Sequence, residues 1–212
     1  MQQTDLFGAD QVNDSAAIQY VVGVDEVGRG PLIGDVVAAA VILPPDCDLP
    51  LRDSKKLNHQ RRVALAEQIR QTALAYSIVG ISAAQIDQIN ILQATLLAMR
   101  QAVESIDHAY SLVMVDGNRC PPLDCPCEAI VKGDDKVLAI SAASILAKVY
   151  RDQQMLELHQ AYPMYGFDKH KGYPTKAHLE AIAHYGLIEG YRTSFKPVQS
   201  WIEKSNNEIL AR

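Results

Sequence analysis

The chain has 212 residues, 48% of them hydrophobic, and a formal net charge of −5. That length and composition suit one globular domain with a substantial core. No apolar run approaches a membrane span, the N-terminus lacks the basic start and apolar centre of a secretory signal, and four cysteines in a chain this long are expected as reduced thiols in the cytoplasm.

Residues 1–17 are polar and aperiodic apart from Leu6-Phe7, and they read as a disordered tail before a folded domain spanning 18–212. Two β-branched runs, at about 20–25 and 35–43, predict a strand pair that ends at Pro44-Pro45. Asn58 is placed to cap a helix from His59 to Ala73, with Val63, Ala66, Ile69 and Ala73 on one face. Ala75 to Ile81 predicts a third strand. Ser82 caps a short helix to about Gln88, and Asn90 opens another to Asp107 with Leu92, Leu96, Met99 and Val103 on one face. Leu112 to Val115 predicts a fourth strand ending at Asp116-Gly117-Asn118. After a Pro/Cys-rich loop, Ala129 to Lys132 predicts a fifth, ending at Gly133-Asp134-Asp135. A long helix from Val137 to about Tyr162 carries the run SAASILAK. Helices from Lys176 to Tyr185 and near Pro197 to Lys204 follow. Strands and helices in this order give an α/β fold with a mixed sheet.

The chemistry concentrates in Tyr20 to Gly34, YVVGVDEVGRGPLIG. Asp25 and Glu26 close a buried strand, where two acids are costly unless something pairs with them. A divalent cation is a common partner. Gly28, Gly30 and Gly34 let backbone approach a ligand and expose its N–H groups. A dinucleotide-binding turn would need a helix directly after the glycines, whereas Pro31 and a second apolar run follow. A hairpin with a solvated acidic tip is the plainer alternative. Asp116 and Asp134 also follow apolar runs, so three strand ends carry acids. Oxygen-only ligands favour Mg2+ or Mn2+ over zinc or copper. Cys120, Cys125 and Cys127 cluster in sequence, but their spacing fits no common zinc pattern.

Charge is unevenly spread. The first 51 residues hold eight acids against one base, Arg29, and the remainder holds 19 bases against 17 acids. Arg52, Lys55, Lys56, Arg61 and Arg62 form one basic cluster, and Lys169, His170, Lys171 and Lys176 another. Two basic clusters set against an acidic site suit a polyanion drawn to a metal centre, although charge runs are more often solvated faces.

The segments VGVDEVGRGPLIGDVVAAAVIL, DSKKL, INILQATLLAM, VDGNRCP, KGDDKVLAISAASILAKVYRD and YGFDKHKGYPTKAH, in this order, resemble bacterial ribonuclease HII, the type 2 ribonuclease H. The departures lie in Asp124-Cys125-Pro126-Cys127 and in Asp135, where a small residue such as serine is expected. The resemblance implies a ribonuclease H-like fold, a mixed five-stranded sheet flanked by helices, with residues 18–212 as the catalytic domain. It implies a monomer that cleaves RNA in RNA–DNA hybrids and incises duplex DNA at single ribonucleotides, leaving 3′-hydroxyl and 5′-phosphate ends. Asp25, Glu26, Asp116 and Asp134 then correspond to the ligands of Mg2+ or Mn2+. Gly28, Arg29 and Gly30 correspond to the loop that reads the ribose 2′-hydroxyl, and Tyr173 to the tyrosine that packs on that nucleotide. Lys55 and Lys56 are candidate phosphate contacts. In the tail, Gln3, Leu6 and Phe7 of QTDLF resemble the short peptide by which bacterial repair proteins bind the DNA polymerase sliding clamp. A DNA-cutting nuclease of the same fold, such as a junction resolvase, and a groove-bearing protein without cleavage are the rival readings.

Overall fold

The computed structural model describes residues 20–51 and 58–210. The 1–17 tail, with Gln3, Leu6 and Phe7, and the pair Lys55 and Lys56 lie outside the described residues.

The centre of the fold is the second strand. Strands β1 (Val21–Val27), β2 (Val36–Ile42), β3 (Ala75–Ile81), β4 (Leu112–Asp116) and β5 (Cys127–Ile130) form one sheet in the order β3-β2-β1-β4-β5. The β1–β2 and β2–β3 pairs are antiparallel, and the β1–β4 and β4–β5 pairs are parallel. All seven residues of β2, VVAAAVI, are buried. Such an uninterrupted apolar run suits a strand covered on both faces. Val36, Ala38, Ala40 and Ile42 pack on one face, against helix α2 (Ala83–Glu104). Val37, Ala39 and Val41 pack on the other, with α1 (His59–Thr72) and α3 (Leu138–Ala161).

Helix α3 lies almost on β1 because Gly23 has no side chain. A Cβ there would overlap the backbone of Ala139 and Ile140. Beyond α3 come α4 (Phe167–His170), α5 (Lys176–Tyr185) and α6 (Lys196–Leu210). They share a third apolar cluster with Leu32 and Ile33, the loop residues after β1. No helix among the described residues is long and apolar enough to cross a membrane.

Several expectations need adjustment. Strand β1 extends through Asp25 and Glu26 to Val27, so the two acids lie within the strand and not beyond it. Strand β5 begins two residues early, pairing Cys127 with Val113. Asp134 is consequently not at a strand end but in the 3-10 turn Gly133–Asp135. The predicted face of α1 is rotated: Val63 is 40% exposed, while Leu65, Ala66 and Ile69 are buried. Asn90 breaks α2 as its sequence suggests. Its backbone is left-handed, with φ 66°, and its Oδ1 accepts the N–H groups of Leu92 and Gln93 at 3.0 and 3.1 Å. The buried face beyond that break is Ala94, Ala98, Met99, Ala102 and Val103. Leu92 and Leu96 are only half-buried.

Candidate active site

Asp25 and Glu26 are neighbours in β1, so their side chains leave the strand on opposite faces. Asp25 faces α3 and is 6% exposed. Its Oδ1 accepts the Glu26 N–H at 2.7 Å. Burial pushes its carboxyl up to about 8; a hydrogen bond from Ser144 of α3 opposes the shift, and the charges of Glu26 and Asp116 add to it. Glu26 is also raised, chiefly by burial; the Arg29 guanidinium, 3.5 Å away, pulls the other way and Asp116 adds to the rise.

Asp116 ends β4. Val24 of β1 pairs with Val115, so one step further along Asp25, still within β1, comes beside Asp116, the last residue of β4. The Asp116 Oδ1 accepts the Gly133 N–H at 2.6 Å, which ties the end of β4 to the turn bearing Asp134. A cavity of about 270 Å³ opens beside these groups, between Glu26, Arg29 and Asp116 and the Leu92, Leu96 and Met99 side chains of α2. Half-burial of Leu92 and Leu96 thus belongs to the wall of the site. A larger cavity of about 470 Å³, lined by Tyr20, Pro44 and Val137, lies at the other end of β1 and contains no acid.

The structure brings Asp25, Glu26 and Asp116 into electrostatic contact. Among the described residues, however, no three His, Cys, Asp or Glu side chains form a preassembled metal cage. The donor set still fits a hard cation: it offers carboxylate oxygens only, and Asp25 is a buried acid whose charge lacks compensation. The cysteines fit a metal poorly. Burial, then contact with Cys120, pushes the Cys127 thiol up to about 12, and among the described residues Cys120, Cys125 and Cys127 form no group that could hold a metal ion.

The loop from Gly28 to Asp35 turns out of β1 with Gly28 and Gly34 at φ 89° and 78°. It is stitched to the C-terminal part of the chain. Leu32 N–H donates to the Gly172 carbonyl at 2.8 Å, Gly34 N–H to that of Gly190 at 2.9 Å, and Arg192 N–H to that of Leu32 at 2.8 Å. This stitching carries Tyr173, 43% exposed, to Gly30. Gly28 is buried, whereas Arg29 and Gly30 are exposed. Sequence reasoning missed Ser144 as a partner of Asp25; the small-residue run SAASILAK was its only signal.

A sequence model of the family described as Ribonuclease HII matches residues 22–200. The Ribonuclease HII of Hydrogenovibrio crunogenus is 60% identical over 194 residues, covering 92% of this chain and 94% of its own. Ribonuclease H2 from Pyrococcus horikoshii superposes with a TM-score of 0.77 at 26% identity, covering 89% of this chain and 99% of its own. A chain in the structure of the PCNA:RNase HII complex from Archaeoglobus fulgidus does so with a TM-score of 0.67 at 26% identity, covering 85% and 96%. Sheet order, flanking helices and these likenesses define a ribonuclease H-like fold. Within that class, the chain belongs to the ribonuclease HII family, whose activity is that of an endoribonuclease.

Proposed function

We propose that the chain hydrolyses the RNA strand of RNA–DNA hybrids and also incises duplex DNA at single embedded ribonucleotides, leaving 3′-hydroxyl and 5′-phosphate ends. The observation that carries this reading is the contact of Tyr173 with Gly30, in the loop that follows the acids of β1, buried Asp25 and half-buried Glu26. The loop after β1, in the segment that supplies Asp25 and Glu26, then offers backbone N–H groups to a sugar–base unit, and the C-terminal segment stitched to it offers the Tyr173 ring. Only a ribose presents a 2′-hydroxyl to such donors, which gives the loop a means of telling RNA from DNA.

Asp25, Glu26, Asp116 and Asp134 would hold Mg2+ or Mn2+. Such ions, when bound, supply an activated water and offset charge on the leaving oxygen of a phosphodiester. The chain's own groups do the positioning. Ser144 orients the Asp25 carboxylate, Gly133 fixes that of Asp116, and Arg29 steadies Glu26. Gly28, Arg29, Gly30 and Tyr173 seat the ribonucleotide, and Lys55 and Lys56 would take phosphates. Gln3, Leu6 and Phe7 would dock on a sliding clamp; the Archaeoglobus fulgidus protein's complex with PCNA supports a clamp as partner for this family.

The test is a panel of labelled duplexes: all-DNA, RNA–DNA hybrid, and DNA with one ribonucleotide. Each is incubated with Mg2+, Mn2+ or chelator, and the products are mapped at nucleotide resolution. Metal-dependent cutting of the hybrid and of the single-ribonucleotide duplex, with the all-DNA duplex intact, is expected. Cutting of the all-DNA duplex would support the resolvase-like reading instead, and binding without cutting would leave a groove-bearing protein that does not cleave.

A further inference from the structure

The side chain of Arg192 is fully buried. Its guanidinium has five N–H donors, and each meets a backbone carbonyl of the single loop that follows β1. Nη2 donates to Gly28 and Asp35 at 2.6 and 2.9 Å, Nη1 to Arg29 and Pro31 at 3.0 and 2.8 Å, and Nε to Gly34 at 2.9 Å. Arg151 of α3, 2% exposed, adds bonds to the carbonyls of Ile33 at 2.7 Å and Asp35 at 3.1 Å. Among the described residues neither guanidinium forms an ion pair with a carboxylate.

A buried charge held by carbonyls and by the face of one ring, with the Arg192 guanidinium carbon 5.1 Å from the Phe195 centroid, is a poor means to stability, since an apolar side chain of similar volume would avoid the desolvation cost. It is a strong means to geometry. In a trans peptide unit the C=O and N–H point in opposite directions. Drawing the carbonyls of Gly28 and Arg29 inward therefore turns the N–H groups of Arg29 and Gly30 outward, and both residues are exposed. Those are the donors next to the Tyr173 ring.

We infer that Arg192 is a positioning residue for ribonucleotide selection: it fixes the peptide planes whose outward N–H groups meet the ribose. This inference rests on the proposed function. The segment that carries Arg192 is itself anchored, because Asp87 of α2 accepts the N–H and hydroxyl groups of both Thr193 and Ser194 at 2.5–2.9 Å.

The experiment measures affinity and kcat/KM on two duplexes of one sequence, with and without a single ribonucleotide, for the wild type, Arg192→Lys and Asp87→Asn. Lysine keeps the charge but offers three donors where five carbonyls wait. Arg192→Lys should lose about 10–100-fold in kcat/KM on the ribonucleotide duplex. Its affinity for the all-DNA duplex should stay within about twofold of wild type, because the phosphate contacts proposed above fall to Lys55 and Lys56 and not to the peptide planes that Arg192 holds. Preference for the ribonucleotide collapses, whereas a merely structural defect would weaken both duplexes in proportion to the folded fraction. Asp87→Asn loosens the same segment from the solvent side, keeps Arg192 and its five carbonyl partners, and should show a smaller loss of the same kind. It decides the matter should Arg192→Lys fail to fold. Retention of the wild-type preference by the folded variant overturns the inference. Absence of any preference in the wild type overturns the proposed function itself, so the two failures are distinguishable.

Discussion

Gly30 and Tyr173 touch: a methyl group built on the glycine would lie 3.0 Å from Cε1 of the tyrosine ring. Gly30 has no left-handed backbone to protect, so its role lies in this contact. Gly30→Ala should leave folding stability within about 1 kcal/mol of wild type, because the half-exposed ring can swing away. The displaced ring should lower kcat/KM on a single-ribonucleotide duplex by about tenfold or more. Tyr173→Phe, which keeps the ring and removes only the hydroxyl, separates stacking from hydrogen bonding. Thermal melting paired with steady-state kinetics checks both variants.

Asp25→Asn and Asp116→Asn should each abolish turnover while sparing duplex binding, since the acids hold the cation and not the phosphates. Because Asp25 is buried with its charge uncompensated, Asn at that position should also raise the melting temperature of metal-free protein by a few degrees. Added Mg2+ or Mn2+ should raise the wild-type melting temperature by mass action, and should do so less for either variant. Unchanged metal-induced stabilisation in both would remove these two acids from the ligand set.

Acid sensitivity should trace to His178. It is fully buried, with Nδ1 2.9 Å from the Tyr173 carbonyl and Nε2 2.7 Å from the Tyr191 hydroxyl. A carbonyl only accepts, so Nδ1 carries the proton and Nε2 accepts from Tyr191. Burial pushes the imidazole down to about 4; the bond to the Tyr173 carbonyl opposes that shift and His170 adds to it. Between about 6.5 and 4 the unfolded chain takes up a proton that the folded chain refuses. Stability is therefore full above this window and falls as pH drops through it, by at most about 3 kcal/mol. Comparing melting temperature against pH for wild type and His178→Asn should show a shallower slope in the variant.

Strand β3 and helix α5 were legible in the sequence to the residue, because each is a regular run bounded by clear stops or caps. The acids Asp25, Glu26 and Asp116 were legible from apolar runs ending in charge. Less could be read where tertiary contacts decide. Strand β5 starts at Cys127 because it pairs with β4 from Val113 onward, not because its own residues favour a strand there. Lys132 takes a left-handed backbone, φ 56°, that its residue type does not signal, and so Asp134 sits on a turn. Arg192 gave no local sign at all: its partners lie at the other end of the chain, and an isolated arginine in YRTSF resembles any surface charge.

The tail yields a separate expectation. The double substitution Leu6→Ala/Phe7→Ala should abolish binding to a labelled sliding clamp, with wild-type affinity roughly micromolar. It should leave cleavage of short oligonucleotides unchanged, since neither residue is among the acids proposed for catalysis. Identical titrations of wild type and variant would count against the clamp peptide.

The clamp of Arg192 on the loop after β1 spans 157 to 164 positions of sequence, and this has a biosynthetic consequence. The ribosome delivers Asp25, Glu26 and their loop early, and Arg192 follows on the order of ten seconds later. Arg151 can reach the Ile33 and Asp35 carbonyls first, but until Arg192 arrives those of Gly28, Arg29, Pro31 and Gly34 have no guanidinium to turn toward. By the inference above, a nascent chain would carry the acidic groups well before it could choose a sugar, with selectivity acquired near the end of translation. A message truncated between Asp134 and Arg192 encodes all four acids without the guanidinium that holds the loop beside them.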